Sequence, residues 1–171
     1  MNKEFLAPIF VLSIICLFVT GILSVGDMVT RPIIVEASNR RAEEVRQEIM
    51  PNAEEFLPIR SEGMPNTITE AFATTNNVGH IFIVTTKGYG GDVVIMCGID
   101  TNGKIIKTMT LAEKETKGIS TPVFEMESEY TGKDKNLEGI DAVTGATITS
   151  NAYIGAVRDA FAAFEIVRGI G

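Results

Sequence analysis

The chain has 171 residues, is 45% hydrophobic and carries a formal net charge of −7, so it has room for one membrane segment and one modest globular domain. The acidic balance argues against nucleic-acid binding and against adhesion to anionic lipid. Two cysteines and a single histidine offer no Cys/His cluster for zinc or a self-contained iron–sulfur centre, and no metal site is expected.

Phe5 to Val25 runs 21 residues without a charge. As a helix it spans about 30 Å, the thickness of a bilayer's hydrocarbon core. Pro8 falls in the first turn, where its missing N–H costs little. A cleaved signal peptide would have a shorter apolar region, about 7–15 residues. Val35-Glu36-Ala37 loosely resembles a cleavage site but lies well past the apolar run, and Cys16 follows Ile14-Ile15, too bulky for a lipoprotein site. The segment reads as a retained anchor. Lys3 and the amino terminus face Arg31, Arg40 and Arg41 across it, a balance that does not favour an inside N-terminus.

Arg31-Pro32-Ile33-Ile34 predicts an extended exit from the membrane. Ala37 to Met50 predicts a helix with Ala42, Val45 and Ile49 as its apolar stripe, closed by Pro51-Asn52; it suits either a stalk or a first helix of the domain. Ile59 to Asn66, with Gly63 and Pro65, reads as loop. Ile68 to Thr75 reads as a short helix or an extended segment, with Phe72 as its expected buried residue. The organisation expected is an anchor over 1–30, a stalk or helical linker over 31–66 and a globular domain over 67–171.

The clearest β signal follows. Ile81 to Thr86 is a short apolar, β-branched run, and the lone His80 before it reads as a structural residue rather than a ligand. Asp92 to Asp100 alternates so that Val93, Ile95, Cys97 and Ile99 share one face. Asp100-Thr101-Asn102-Gly103-Lys104 is a tight turn, expected to be type I′ with positive φ at Asn102-Gly103. Lys104 to Leu111 is the return strand. Such a three-stranded antiparallel meander must bury one face against helices, which makes the fold class α+β behind one transmembrane helix. Cys16 in the anchor and Cys97 in the sheet are not expected to pair. Thr121 to Tyr130, with Pro122 near its start, predicts a helix, and Thr131 to Gly139 a polar loop. From about Ser150 to Val167 the pattern is helical, with Ile154, Val157, Phe161 and Phe164 on a core face and Ala156, Ala160 and Ala163 on a small-residue face.

Before that helix lies Asp141-Ala142-Val143-Thr144-Gly145-Ala146-Thr147-Ile148-Thr149-Ser150, a thin, hydroxyl-rich loop. A Thr/Ser cluster here has an ordinary reading as a helix N-cap. The other reading is a phosphate site, because the first amides of a helix lack internal partners and carry the positive end of its dipole. Thr149 and Ser150 can bond a phosphate or cap the helix. Gly88-Tyr89-Gly90-Gly91 lacks the dinucleotide fingerprint and precedes a strand rather than a helix, so no nicotinamide site is expected.

The run Asp141 to Thr147 matches without departure the flavinylation motif of the FMN-binding domain family: Asp, two variable residues, Ser or Thr, Gly, Ala, Thr. The chain resembles that family. In it a flavin transferase uses FAD and Mg²⁺ to join FMN to the last threonine through a phosphoester bond. The resemblance implies FMN as cofactor and Thr147 as its attachment site. It also implies Thr144, Gly145 and Ala146 beside it, and Asp141 in loop shaping or transferase recognition. The family's upstream Glu-Thr-Pro-Gly-Leu-Gly segment appears as Glu115-Thr116-Lys117-Gly118-Ile119-Ser120, with Lys117 replacing the proline and Ser120 the final glycine. By resemblance, Glu115, Thr116, Gly118 and Ile119 flank the flavin. Gly88-Tyr89-Gly90-Gly91 before a strand is a further match.

With the membrane segment, these features resemble the G-subunit family of the Rnf complexes over most of the chain. That implies an electron-transfer subunit, with no autonomous catalysis, of a membrane-bound ion-translocating ferredoxin:NAD⁺ oxidoreductase. Its partners would be integral-membrane and iron–sulfur subunits, membrane lipid and, during maturation, the flavin transferase. Its single-pass anchor would sit in the plasma (inner) membrane with the domain on the extracytoplasmic side. The alternatives are a component like the C subunit of the sodium-translocating NADH:quinone reductase, a membrane-anchored binding or assembly module without flavin, and a standalone flavoprotein for extracellular electron export.

Overall fold

A computed structural model describes residues 3–60, 62–113, 115, 118 and 120–170. The chain divides into two compact units, Met1–Arg41 and Ala42–Gly171. Helix α1, Lys3–Ile49, supplies the first unit and enters the second. Among the described residues it is the one helix long and apolar enough to cross a membrane. The extended exit expected at Arg31 to Ile34 is not found: the helix passes through Pro32. A proline inside a helix removes one backbone bond and costs about 3 kcal/mol. Thr30 Oγ1 donates to the Gly26 carbonyl at 2.8 Å, and Arg31 pairs with Asp27 at 2.6 Å.

In the second unit, strands β1 (Phe56–Ile59), β2 (Ile68–Thr74), β3 (Gly79–Lys87), β4 (Asp92–Asp100) and β5 (Ile105–Ala112) form one sheet in sequence order. Every neighbouring pair is antiparallel. The meander thus extends the expected one by two strands. Sequence patterning missed β1 because Pro58 weakens a strand signal. Proline is tolerated on an edge strand, and β1 is one, with Pro58 opposite Phe72. The ambiguous segment from Ile68 resolves as strand β2. Phe72 is only half-buried there, while Ile68 and Ala71 are buried. Its ring packs at the edge of the Val45–Ile49 side of the core and lies under the Arg46 guanidinium, 4.3 Å away, a cation–π contact.

Between β4 and β5 the expected type I′ turn is also corrected. Gly103 alone takes positive φ, at 78°. The Asp100 side chain accepts from the Asn102 and Lys104 amides at 2.9 and 2.8 Å. That bonding holds Asn102 in ordinary φ space and makes a three-residue loop, closed by glycine in the left-handed region.

Helix α2 spans Thr121–Glu125 and is followed by a 3₁₀ turn, Met126–Tyr130, instead of one continuous helix. There Glu127 Oε1 accepts from the Thr110 amide at 2.8 Å and its hydroxyl at 2.6 Å, drawing the tightened turn onto β5. Helix α3, Thr147–Ile170, starts earlier than the periodicity indicated.

Both sheet faces are covered. Phe82, Val84, Val93, Ile95, Cys97 and Ile99 share a core with Val157, Phe161 and Phe164 of α3, and Ala156, Ala160 and Ala163 allow the helix close approach. On the other face Ile81, Ile83 and Met96 pack with Val45, Ile49 and Met50. Residues 42–50, within the span expected to link anchor and domain, therefore belong to the domain's packing. This sandwich fixes two features from which the candidate site is built: the β3–β4 turn and the start of α3.

Candidate functional site

The loop preceding α3 is held by Ser150 from within the helix. Ser150 Oγ accepts from the Val143 amide and donates to the Ala146 carbonyl, each at 3.0 Å. The Ala146 amide closes a turn onto Val143 at 3.1 Å, and Gly145 takes φ of +87°. Ala146 thus occupies the position where a capping oxygen would sit, and its methyl supplies none. The ordinary N-cap reading of this hydroxyl cluster fails on that residue. The amides opening α3 have no intrahelical acceptor and stand at the positive end of the helix dipole.

Thr147, the first residue of α3, is exposed. Thr149, one half-turn on, is buried, and its hydroxyl donates to Glu115 Oε2 at 2.9 Å. Glu115 is itself buried, and its Oε1 accepts from the Gly90 amide at 3.0 Å. Gly90 lies in the β3–β4 turn, closed by Gly88 N–H donating to the Gly91 carbonyl at 2.8 Å. Next to it, Tyr89 is 74% exposed, an unusual position for an aromatic ring unless something covers it.

These parts enclose a cleft of about 410 Å³, lined by Tyr89, Glu115, Ser120 and residues 145–149. Its volume lies within the range of small-molecule and cofactor sites. Of the residues expected from sequence, Thr147, Gly145, Ala146, Thr149 and Glu115 meet here. Thr149 does so with its hydroxyl already committed to Glu115, and Ser150 lies behind the loop as its staple. Asp141, Thr144 and Gly118 do not line the cleft; Asp141 and Gly118 are exposed. Thr116 and Ile119 lie outside the described residues. Sequence reasoning missed Tyr89, Ile148 and Ser120 as lining residues. An aromatic set among glycines was the available signal for Tyr89; the exposed Ile148 has none beyond its place between two threonines.

An α+β domain with a hydroxyl-bearing helix start opening into a cofactor-sized cleft defines the class. Residues 88–162, which contain both the β3–β4 turn and the start of α3, match the FMN-binding domain family.

Over most of its length the chain is similar to G subunits of ion-translocating redox complexes. It is 25% identical to the G subunit of the ion-translocating oxidoreductase complex of Shewanella piezotolerans, covering 92% of this chain and 88% of that protein. It is 24% identical to the G subunit of the proton-translocating ferredoxin:NAD(+) oxidoreductase complex of Clostridium ljungdahlii, covering 87% and 85%. It is 27% identical to the G subunit of the Na(+)-translocating ferredoxin:NAD(+) oxidoreductase complex of Acetobacterium woodii, covering 80% of each chain.

Proposed function

We propose that the chain is the electron-carrying subunit of a membrane-bound, ion-translocating ferredoxin:NAD⁺ oxidoreductase, with FMN esterified to Thr147. The observation that carries the reading is the placement of Thr147. Its exposed side chain has no hydrogen-bond partner among the described residues, at the mouth of a cleft and on a helix start without a side-chain cap.

The residues fit the group. A phosphate on Thr147 meets the unpaired amides of α3, worth about 0.3–1 kcal/mol through the helix dipole at an exposed site. Gly145 leaves nothing within 4 Å of where a side chain would point, so a bulky substituent and the transferase that installs it have room. Tyr89 and Ile148 offer apolar surface to a flat ring. When bound, FMN accepts and releases electrons; the polypeptide holds and orients it. Tethering makes ring binding intramolecular, so modest contacts in a half-open cleft suffice, and an exposed ring edge suits exchange with neighbouring carriers. Asp141, exposed in the motif loop, is left for recognition by the transferase.

Residues 1–30 serve as the single-pass anchor, and the domain, which includes residues 42–50 and β1, carries the flavin on the extracytoplasmic side. The remaining subunits of the complex supply the ferredoxin, NAD⁺ and ion reactions.

The test is denaturing electrophoresis under ultraviolet light after expression with a flavin transferase. Wild type fluoresces and gains the mass of one FMN ester, Thr147→Ala is dark, and Thr144→Ala, whose target does not line the cleft, still fluoresces. A dark wild-type band overturns the assignment. Labelling of a cysteine introduced at Lys135 from outside intact cells tests the side of the membrane.

A further inference from the structure

We propose that Glu115 is a positioning residue whose carboxylate clamps the Gly88–Gly91 turn to the first turn of α3, so that these two parts of the cleft move as one. The cleft's occupant rests on the flavin reading above; the clamp is a property of the polypeptide alone.

Each carboxylate oxygen holds a different segment. Oε1 takes the Gly90 amide, 25 residues back in the chain, and Oε2 takes the Thr149 hydroxyl, 34 residues ahead. The turn lies so close on the carboxylate that a Cβ on Gly88 would fall 2.0 Å from Oε1; glycine there is a requirement of the contact. The Glu115 amide in turn donates to Glu113 Oε2 at 2.5 Å, which steadies the backbone from which the clamp projects. Hydrogen bonds to a carboxylate are shorter and stronger than neutral ones, and removing the acceptor leaves the buried Thr149 hydroxyl without a partner.

The clamp bears on the cleft through its neighbours. Tyr89 precedes Gly90, and Thr147 precedes Thr149 by two residues. Glu115 therefore sets the separation between the exposed Tyr89 ring and the Thr147 hydroxyl. Each of its oxygens already accepts a bond from the protein, which assigns it a part in shaping the site.

Amide hydrogen exchange on the full chain in detergent, produced without a flavin transferase, tests the clamp. Glu115→Ala raises exchange at Gly90 by at least about tenfold, the loss expected for a charge-assisted bond. Thr149→Val also accelerates Gly90, although residue 149 does not touch it, because the carboxylate has lost its second anchor. Glu115→Gln stays near wild type, since its carboxamide oxygen can accept from Gly90 while its NH₂ donates to Thr149. Unchanged Gly90 exchange in Glu115→Ala or in Thr149→Val overturns the clamp. Should the alanine variant fail to fold, the near-isosteric valine carries the test. The same wild-type chain made with the transferase is run in parallel for gel fluorescence. A dark band there strikes the flavin reading and leaves the exchange result standing, whereas unaltered exchange strikes the clamp whether or not flavin is attached.

Discussion

A Cβ placed on Gly98 would lie 2.3 Å from Ile49 Cγ2, so the missing side chain in the middle of β4 is what lets the end of α1 settle on the sheet. Glycine inside a strand ordinarily costs about 0.5–1 kcal/mol relative to alanine; here the close approach reverses that preference. Gly98→Ala is expected to destabilise the domain by about 1–3 kcal/mol through overpacking, measured by chemical denaturation of the full chain in detergent. Ile49→Ala alone costs about 2–5 kcal/mol as a cavity. The double variant costs less than the sum, because the new methyl enters the vacated space. Strict additivity would show that the contact does not govern the packing.

On the proposed flavin reading, the Glu115 carboxylate in the cleft gives a sign for the ring's potential. A negative charge beside the bound ring opposes the charge that reduction adds. Glu115→Gln preserves both hydrogen bonds and removes the formal charge, so the midpoint potential should rise. A lost repulsion of about 0.5–1.4 kcal/mol corresponds to about 10–30 mV for a two-electron couple. Spectroelectrochemical titration of the flavinylated chain at fixed pH reads the shift; a fall in potential on this substitution contradicts the electrostatic placement.

Much of this architecture was legible because period and punctuation agreed. In β4 the alternation from Val93 to Ile99 named the four residues that are fully buried on the α3 face, and the apolar stripe of α3 was equally plain. What escaped were features decided by partners distant in sequence. Pro58 hid β1, whose strand character comes from pairing with β2. Phe72 was expected inside because local pattern cannot foresee Arg46 covering its ring. The motif loop pointed to Thr147, but nothing in it revealed that Thr149 would be taken by Glu115 or that Ser150 would serve the loop behind it. Hydroxyls close in sequence divided their work according to which segment each one met.

Cys97 should be chemically silent in the folded protein. It is fully buried in the sheet core, and burial pushes its thiol up to about 12. At pH 8 that leaves a thiolate fraction of about 10⁻⁴, on top of steric exclusion. Alkylation followed by mass spectrometry should leave Cys97 unmodified under native conditions and modify it fully in denaturant. Rapid native labelling would mean that the α3 face of the sheet opens readily.

His80 predicts a pH dependence of stability. Its ring stacks on Phe82 with centroids 6.4 Å apart and meets Phe164 edge-on at 5.6 Å, and its Nδ1 is buried with no partner among the described residues. Burial lowers the imidazole below its ordinary value of 6.5, so the folded state binds the proton less well than the unfolded chain. The sign follows: the unfolded state takes up more protons as pH falls, and the stability held above about pH 6.5 is lost as pH drops through the folded-state value. Denaturation midpoints of the full chain at pH 7.5 and 5.5 should fall further for wild type than for His80→Gln, which cannot titrate. The two profiles should diverge only below about pH 6.5. Profiles that stay parallel down to pH 5.5 would assign the acid sensitivity to carboxylates and show that His80 binds its proton equally in the folded and unfolded states.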